Sequence, residues 1–131
     1  MRAHALLLLI LHRLSEILVY DTDNMTGDYR ISNIKRFISL HYSDPLTVDK
    51  LAKLVNLNSS YVGQLFRQQT GISIHRYIMQ IRVRNAENML QSGSYKVREV
   101  ADHCGFSDVI HFYKSFIAVR GFPPSKYKPK K

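Results

Sequence analysis

The chain repeats one pattern of hydrophobic and polar positions. The pattern V-x-x-L-A-x-x-V at 48–55 returns 49 residues later (97 − 48) as V-x-x-V-A-x-x-C at 97–104. The pattern V-x-x-x-F-x-x-x-x-G at 62–71 returns 50 residues later (112 − 62) as F-x-x-x-F-x-x-x-x-G at 112–121, so the second copy has one extra residue between its two blocks. Each copy predicts a short helix, a tight turn and a second helix whose apolar side packs on the first.

Hydrophobic residues at helical spacing continue on both sides of the first copy. They predict a helix over 31–42 that stops before Pro45, and a long amphipathic helix over 73–91 that joins the two copies. At a rise of roughly 1.5 Å per residue, the joining helix is about 28 Å long. No alternating strand pattern follows residue 28. The sequence therefore predicts an all-α fold in which two helix-turn-helix units, at about 47–71 and 96–121, are joined by a long central helix.

The first 28 residues differ from the rest of the chain. Residues 5–20 are largely apolar and fit one broad face of a helix, whereas residues 21–28 are polar and acidic, as in a linker. The apolar run is shorter than the ~20 residues of a membrane span and lacks the cleavage site of a secretory signal. We therefore expect no membrane contact, and we divide the chain into residues 1–28 and a domain over 29–131.

The predicted N-terminal helix carries a leucine stripe that is too apolar to face water on a monomer. The stripe consists of Leu7, Leu11, Leu14 and Leu18. A second copy of the chain can cover it with the same surface, which predicts a homodimer. The alternative is that this helix folds back onto its own domain.

The charge of the chain indicates a polyanionic partner. Its 131 residues include 19 Lys and Arg against 10 Asp and Glu, which gives a net charge of +9 and a pI of about 9.9. A helix-turn-helix unit places its second helix in the DNA major groove, and the length of the central helix is comparable to one turn of B-DNA, ~34 Å. We therefore predict that the helices at 59–70 and 108–120 are recognition helices that enter successive major grooves of double-stranded DNA.

Little in the sequence indicates catalysis or a cofactor. The single cysteine, Cys104, falls on the inner side of a short helix and is expected to be a small buried residue. The six histidines lack metal-ligand spacing, and no nucleophile–base arrangement, phosphate-binding loop or carboxylate pair stands out. We therefore expect no metal, no cofactor and no enzymatic activity.

Five linked motifs resemble those of the C-terminal DNA-binding domain of AraC/XylS transcription regulators. They are L-T-x-x-x-L-A at 46–52, L-F-R-x-x-T-G at 65–71, R-x-x-x-A-x-x-x-L at 82–90, V-A-x-x-x-G-F-x-D at 100–108 and G-x-P-P-x-x-Y at 121–127. The resemblance covers about residues 31–128. It implies a cytoplasmic bacterial transcription regulator, activator or repressor, that acts with RNA polymerase. It also implies that the chain is either the C-terminal part of a longer regulator or a small stand-alone member.

The outward faces of the two recognition helices supply the candidate DNA contacts. Gln64 suits hydrogen bonds to adenine, Ile110 can pack on a thymine methyl group, and Lys114 can reach guanine or phosphate. The base-facing candidates are Ser60, Gly63, Gln64, Val109, Ile110, His111, Tyr113 and Lys114. The phosphate candidates are Ser59, Arg67, Lys126 and Lys128.

Three positions depart from the family pattern. Gly63 stands where relatives often carry a polar base-contacting side chain, Tyr113 where a small polar residue is usual, and Lys114 where arginine is usual. For Val109 and Tyr113, base contact and packing onto neighbouring protein both remain open. The alternative to a DNA-binding regulator is a protein-interaction module, in which the N-terminal helix and a degenerate second recognition helix mediate assembly and DNA contact is incidental.

Overall fold

The structure is a computed structural model that describes residues 28–127. Within this range the chain forms six α-helices, one short 3-10 helix and no strand, so the predicted all-α fold with two helix-turn-helix units is confirmed. The helices are α1 (Tyr29–His41), α2 (Val48–Leu54), α3 (Ser59–Thr70), α4 (Ile74–Ser92), α5 (Val97–His103) and α6 (Val109–Arg120), followed by the 3-10 helix Pro124–Lys126. The predicted N-terminal helix, its leucine stripe and Lys128 lie outside the described residues.

Short polar side chains set the starts of most helices. The hydroxyl of Thr47 accepts a hydrogen bond from the backbone N–H of Lys50 at the start of α2 (3.1 Å), and the side chain of Asn58 accepts one from Tyr61 at the start of α3 (2.8 Å). Such caps satisfy backbone N–H groups that have no partner within the helix. The other end of α3 is set by Gly71, which adopts the left-handed conformation (φ 83°).

The central helix α4 belongs to two hydrophobic cores. The N-terminal half of α4 packs with α1, α2 and α3, and its C-terminal half packs with α5 and α6. Tyr42, just after α1, contacts both cores. Val83 is fully buried because neighbouring helices cover α4 on more than one side. The two units therefore share one structural element.

The turns of the two units differ by the one residue that the repeat offset predicts. Asn56 (φ 57°) and Gly105 (φ 90°) take the same left-handed position in the two turns. Asn58 caps the next helix two residues after Asn56, whereas Asp108 caps it three residues after Gly105. The extra residue of the second unit is therefore Ser107.

The turn of the second unit lies against the segment that follows α1. A Cβ atom on Gly105 would come within 3.0 Å of the backbone oxygen of Ser43. On the same segment, the guanidinium of Arg82 donates from Nε to the carbonyl of Tyr42 (2.7 Å) and from Nη2 to that of Asp44 (2.9 Å). Burial lowers the pKa of Arg82, and the two carbonyls compensate for water that the guanidinium has lost. This junction fixes the first unit, the central helix and the second unit to one another.

A second polar cluster attaches the end of the domain to α4. The carboxylate of Glu87 accepts hydrogen bonds from Arg120 Nη2 (3.0 Å), at the end of α6, and from the hydroxyl of Tyr127 (2.6 Å). The hydrogen bond from Tyr127, followed by the contacts with Arg120, lowers the pKa of Glu87, and the same hydrogen bond raises the pKa of Tyr127. Glu87 therefore holds α6 and the C-terminal segment on the central helix.

We predict that Gly105→Ala destabilises the fold strongly. Alanine is strained at φ 90°. Its Cβ would also press on backbone atoms of Ser43, which cannot move aside as the end of a flexible side chain could. The two effects together lower the free energy of unfolding by about 2–4 kcal/mol. Denaturant-induced unfolding followed by circular dichroism measures this change.

Two other glycines serve as matched controls for Gly105→Ala. Gly71→Ala meets the same left-handed backbone in open space, so it should cost only the strain, about 1–2 kcal/mol. Gly63→Ala lies within a helix with no neighbouring atom in reach, so it should raise the stability by about 0.5–1 kcal/mol. Equal losses at 105 and 71 would show that the two units do not meet closely.

We further predict that Glu87 and Tyr127 make stability depend on pH in opposite directions. Because the folded-state pKa of Glu87 lies below its ordinary value of 4.5, its contribution is present above that pH and is lost as the pH falls through the lowered pKa. Because the folded-state pKa of Tyr127 lies above its ordinary 10.0, its contribution is present below pH 10.0 and is lost as the pH rises through the raised pKa.

Melting temperatures measured across a range of pH check both predicted pH dependences. Glu87→Gln should reduce the loss of stability in acid, and Tyr127→Phe should reduce the loss in alkali. If the profiles of both variants run parallel to that of the parent protein, the cluster does not titrate with folding.

Candidate nucleic-acid interface

The outward face of α3 is polar, and the opposite face of the helix is packed into the first core. Val62 and Phe66 are fully buried beneath the helix, which fixes the direction of the opposite face. Ser60 and Gln64 are exposed one turn apart, and Gly63 is half-buried between them. The face continues with the exposed side chains of Arg67 and Gln68. The structure thus brings the sequence-predicted candidates of the first unit together on one accessible surface.

Ser59 differs from the other candidates of the first unit. It is half-buried at the start of α3, and its hydroxyl donates to the carboxylate of Asp49 in α2. A hydroxyl that already has this acidic partner is a poor ligand for a phosphate group, because the phosphate would have to approach Asp49. Of the two phosphate candidates in α3, Arg67 is therefore the better placed.

The outward face of α6 is largely apolar. Ile110 exposes 68% of its surface and Ile117 exposes 44%, with Lys114 exposed between them. Phe112 and Phe116 are fully buried beneath the helix, as Val62 and Phe66 are in α3. The second recognition helix thus packs on its core through equivalent buried residues, as the first does, but its outward face is apolar where that of α3 is polar.

Three further candidates in α6 are partly buried. Val109 and Tyr113 pack against the second core and keep part of their surface accessible. The ring of His111 lies edge-on to Phe106 with ring centroids 5.5 Å apart, and its Nδ1 atom is buried without a hydrogen-bond partner among the described residues. For Val109 and Tyr113 the structure shows packing onto neighbouring protein, and their contact with bases stays a prediction.

Two surface positions were missed by the sequence reasoning. Gln68 follows Gln64 by four residues, and Ile117 follows Ile110 by seven, so both fall on the same helical faces as the predicted contacts. The spacing alone could have found them. Outside the two recognition helices, the ammonium group of Lys126 lies 4.3 Å from the centroid of the Phe122 ring. Because Lys126 is exposed, this group is also accessible to a phosphate.

The described residues hold little that could support other chemistry. Cys104 is fully buried as predicted, and burial raises the pKa of its thiol to about 11, so the reactive thiolate is not formed near neutral pH. Over residues 28–127, no cluster of three or more His, Cys, Asp or Glu side chains could hold a metal ion. In the same range no helix is long and apolar enough to cross a membrane.

The part of the chain that contains the two units matches a known family of helix-turn-helix domains. A family model described as a helix-turn-helix domain matches residues 51–130, which is more than half of the chain. The Msm operon regulatory protein of Streptococcus mutans is 32% identical over 108 residues, covering 82% of this chain and 38% of that protein. The chain spans about a third of the length of the curated relatives it matches, whose names describe regulatory proteins and transcriptional regulators.

Solved structures show the same fold. The structure of a Rhodopseudomonas palustris protein assigned to the AraC family of transcriptional regulators is similar with a TM-score of 0.70 and 25% identity, over 76% of this chain and 94% of that one. The DNA-binding domain of AdpA, a global transcriptional factor solved in complex with a target DNA, is similar with a TM-score of 0.70 and 25% identity, over 74% of this chain and 87% of that one.

Proposed function

The chain belongs to the AraC family of helix-turn-helix transcriptional regulators, and we propose that it reads a specific double-stranded DNA sequence by placing α3 and α6 in successive major grooves. The observation that carries the proposal is the pair of equivalent helices, each seated on a buried core and joined by α4. With 19 residues, α4 spans about 28 Å, comparable to one helical turn of DNA.

The proposed base contacts differ between the two units. In α3, Ser60 and Gln64 hydrogen-bond to base edges, and Gln64 pairs with adenine. In α6, Ile110 makes an apolar contact and Lys114 reaches guanine or a nearby phosphate. Arg67 and Lys126 neutralise phosphates, and the net charge of +9 favours the approach to DNA.

Two features of the proposal rest on family membership alone: a contact with RNA polymerase and a bacterial cytoplasmic location. Two others rest on the sequence as well: the lack of enzymatic activity, and the division into residues 1–28 and a DNA-binding domain over 29–131. Transcription from a promoter that carries the bound sequence, with and without this protein, tests the contact with polymerase and gives its direction.

A protein-interaction module is the second candidate function. The observation in its favour is the apolar surface of α6 at Ile110 and Ile117. Salt separates the two functions, because DNA binding releases counterions from phosphates and an apolar assembly does not.

We predict that selection from a random duplex pool yields one defined sequence, bound in a salt-dependent way. Neutralisation of several phosphates should weaken binding by about a thousandfold or more between roughly 50 and 200 mM salt. Fluorescence anisotropy at several salt concentrations measures this dependence. Enrichment of no sequence, or affinity that is independent of salt, would contradict the proposed function.

We predict that Gln64→Ala and Arg67→Ala weaken binding in different ways. Gln64→Ala should relax the preference at one or two base pairs, at a cost of about 1–3 kcal/mol there, because a base contact is lost. Arg67→Ala should weaken all sequences similarly and reduce the slope of log affinity against log salt by about 1, because a phosphate contact is lost. A uniform loss in Gln64→Ala would show that Gln64 contacts the DNA backbone.

The homodimer proposed for the N-terminal residues has its own test. Sedimentation of the full chain is compared with that of a version that begins at Asp28. We expect a dimer that becomes monomeric on truncation while DNA binding is retained, since the leucine stripe is removed. Monomers in both cases, with the shorter form less stable, would show that residues 1–27 pack on their own domain.

A further inference from the structure

The two recognition helices present different chemistry at equivalent positions. The repeat offset of 50 residues (112 − 62) makes Phe112 of α6 the counterpart of Val62 of α3, and both are fully buried. The same offset pairs the exposed positions of the two helices. These pairs are Ser60 with Ile110, Gln64 with Lys114, Arg67 with Ile117, and Gln68 with Ala118, and all eight are exposed. Three polar positions of α3 are thus replaced by apolar side chains in α6.

Ile110 is the most accessible of these apolar side chains. It lies in the first turn of α6 and is 68% exposed. In helix-turn-helix proteins, the N-terminal residues of the recognition helix are the ones that contact base edges. Its immediate neighbour Val109, by contrast, packs on the second core. Ile110 therefore contributes nothing to the second core and is accessible to a ligand of α6.

The major groove offers one apolar group to such a side chain. This group is the C5-methyl of thymine, and 5-methylcytosine carries a methyl at the same ring position. We propose that Ile110 recognises a pyrimidine C5-methyl group, so that the second half-site is read through a methyl contact where the first is read through hydrogen bonds. This inference rests on the proposed function, because it requires α6 to lie in the major groove.

The charge pattern of α6 favours DNA over a protein partner on this face. Lys114 lies one turn after Ile110 and separates it from Ile117. Lysine is depleted at the buried centre of protein interfaces, whereas a lysine beside a base contact serves the phosphates and guanines of the groove.

The experiment uses the full chain and the duplex selected from the random pool. Each thymine of the duplex is replaced in turn by deoxyuridine, which removes the methyl group and leaves the hydrogen-bonding groups unchanged. We expect one replacement in the second half-site to weaken binding about fourfold, the change that corresponds to burial of one methyl group. Ile110→Ala should bind the thymine and uracil duplexes equally.

Cytosine methylation provides an independent readout at the same position. With a G·C pair in place of the A·T pair, 5-methylcytosine should bind the parent protein more tightly than cytosine, because the methyl group returns to the same place in the groove. Ile110→Ala should not distinguish the two. A preference that depends on the methyl group in both base pairs excludes recognition through the oxygen of thymine.

Two substitutions act as matched controls. Leu40→Ala shortens an apolar side chain that is 72% exposed on α1, outside both recognition helices, and should keep the sensitivity to uracil. Ser60→Ala changes the equivalent position of α3. It should weaken binding, because a base contact is lost, but it should keep the sensitivity to uracil. Thermal melts of all variants confirm folding, which the exposure of these three side chains leads us to expect.

Failure of the methyl contact can be distinguished from failure of the proposed function. If salt-dependent binding to the selected duplex is intact but no uracil replacement matters, the methyl contact is wrong and the proposed function stands. If Ile110→Ala leaves DNA binding unchanged and alters the sedimentation of the protein, α6 is a protein-docking surface and the inference is overturned. If no duplex is enriched at all, the proposed function fails and this inference fails with it.

Discussion

The arrangement of the whole domain depends on the burial of one helix by two cores. Because α4 contributes to both, the first unit cannot turn relative to the second without exposing apolar surface on one of them. Arg82 strengthens this constraint by binding the carbonyls of the segment after α1, and Gly105 allows the second turn to approach that segment. The separation and direction of α3 and α6 are therefore properties of α4 and its junction, and not of either unit alone.

Local features of the fold could be predicted from the sequence because they depend on residues that are close along the chain. Thr47, Ser73 and Gly71 mark helix ends by their own backbone and side-chain preferences, and the structure places the ends there. The repeat offset likewise located the extra residue in the second turn. Contacts between distant residues were not predictable in this way. The local pattern around Arg82 and Glu87 indicates no distant partner, and only the tertiary structure shows that these two residues anchor segments 38 and 40 residues away.

The same distinction between local pattern and tertiary contacts applies to the candidate interface. Exposure of Ser60, Gln64 and Ile110 followed from helical periodicity, since the buried face of each recognition helix is unambiguous. The partial burial of Val109, Tyr113 and His111 did not follow, because it depends on how closely the second core surrounds the start of α6. Ser59 shows the same limitation, since its acidic neighbour comes from a different helix. Periodicity identifies the side of a helix, and neighbouring elements decide which of its residues are free.

The seating of both recognition helices on fully buried residues has a consequence for how such a regulator evolves. Val62, Phe66, Phe112 and Phe116 stabilise the fold, and the exposed positions opposite them contribute little to it. Substitutions on the outward faces can therefore accumulate without loss of the scaffold, and the two faces can diverge independently. The polar α3 and the apolar α6 of this chain differ at these outward positions and agree in the buried ones beneath them. A single scaffold can in this way come to serve new target sequences one half-site at a time.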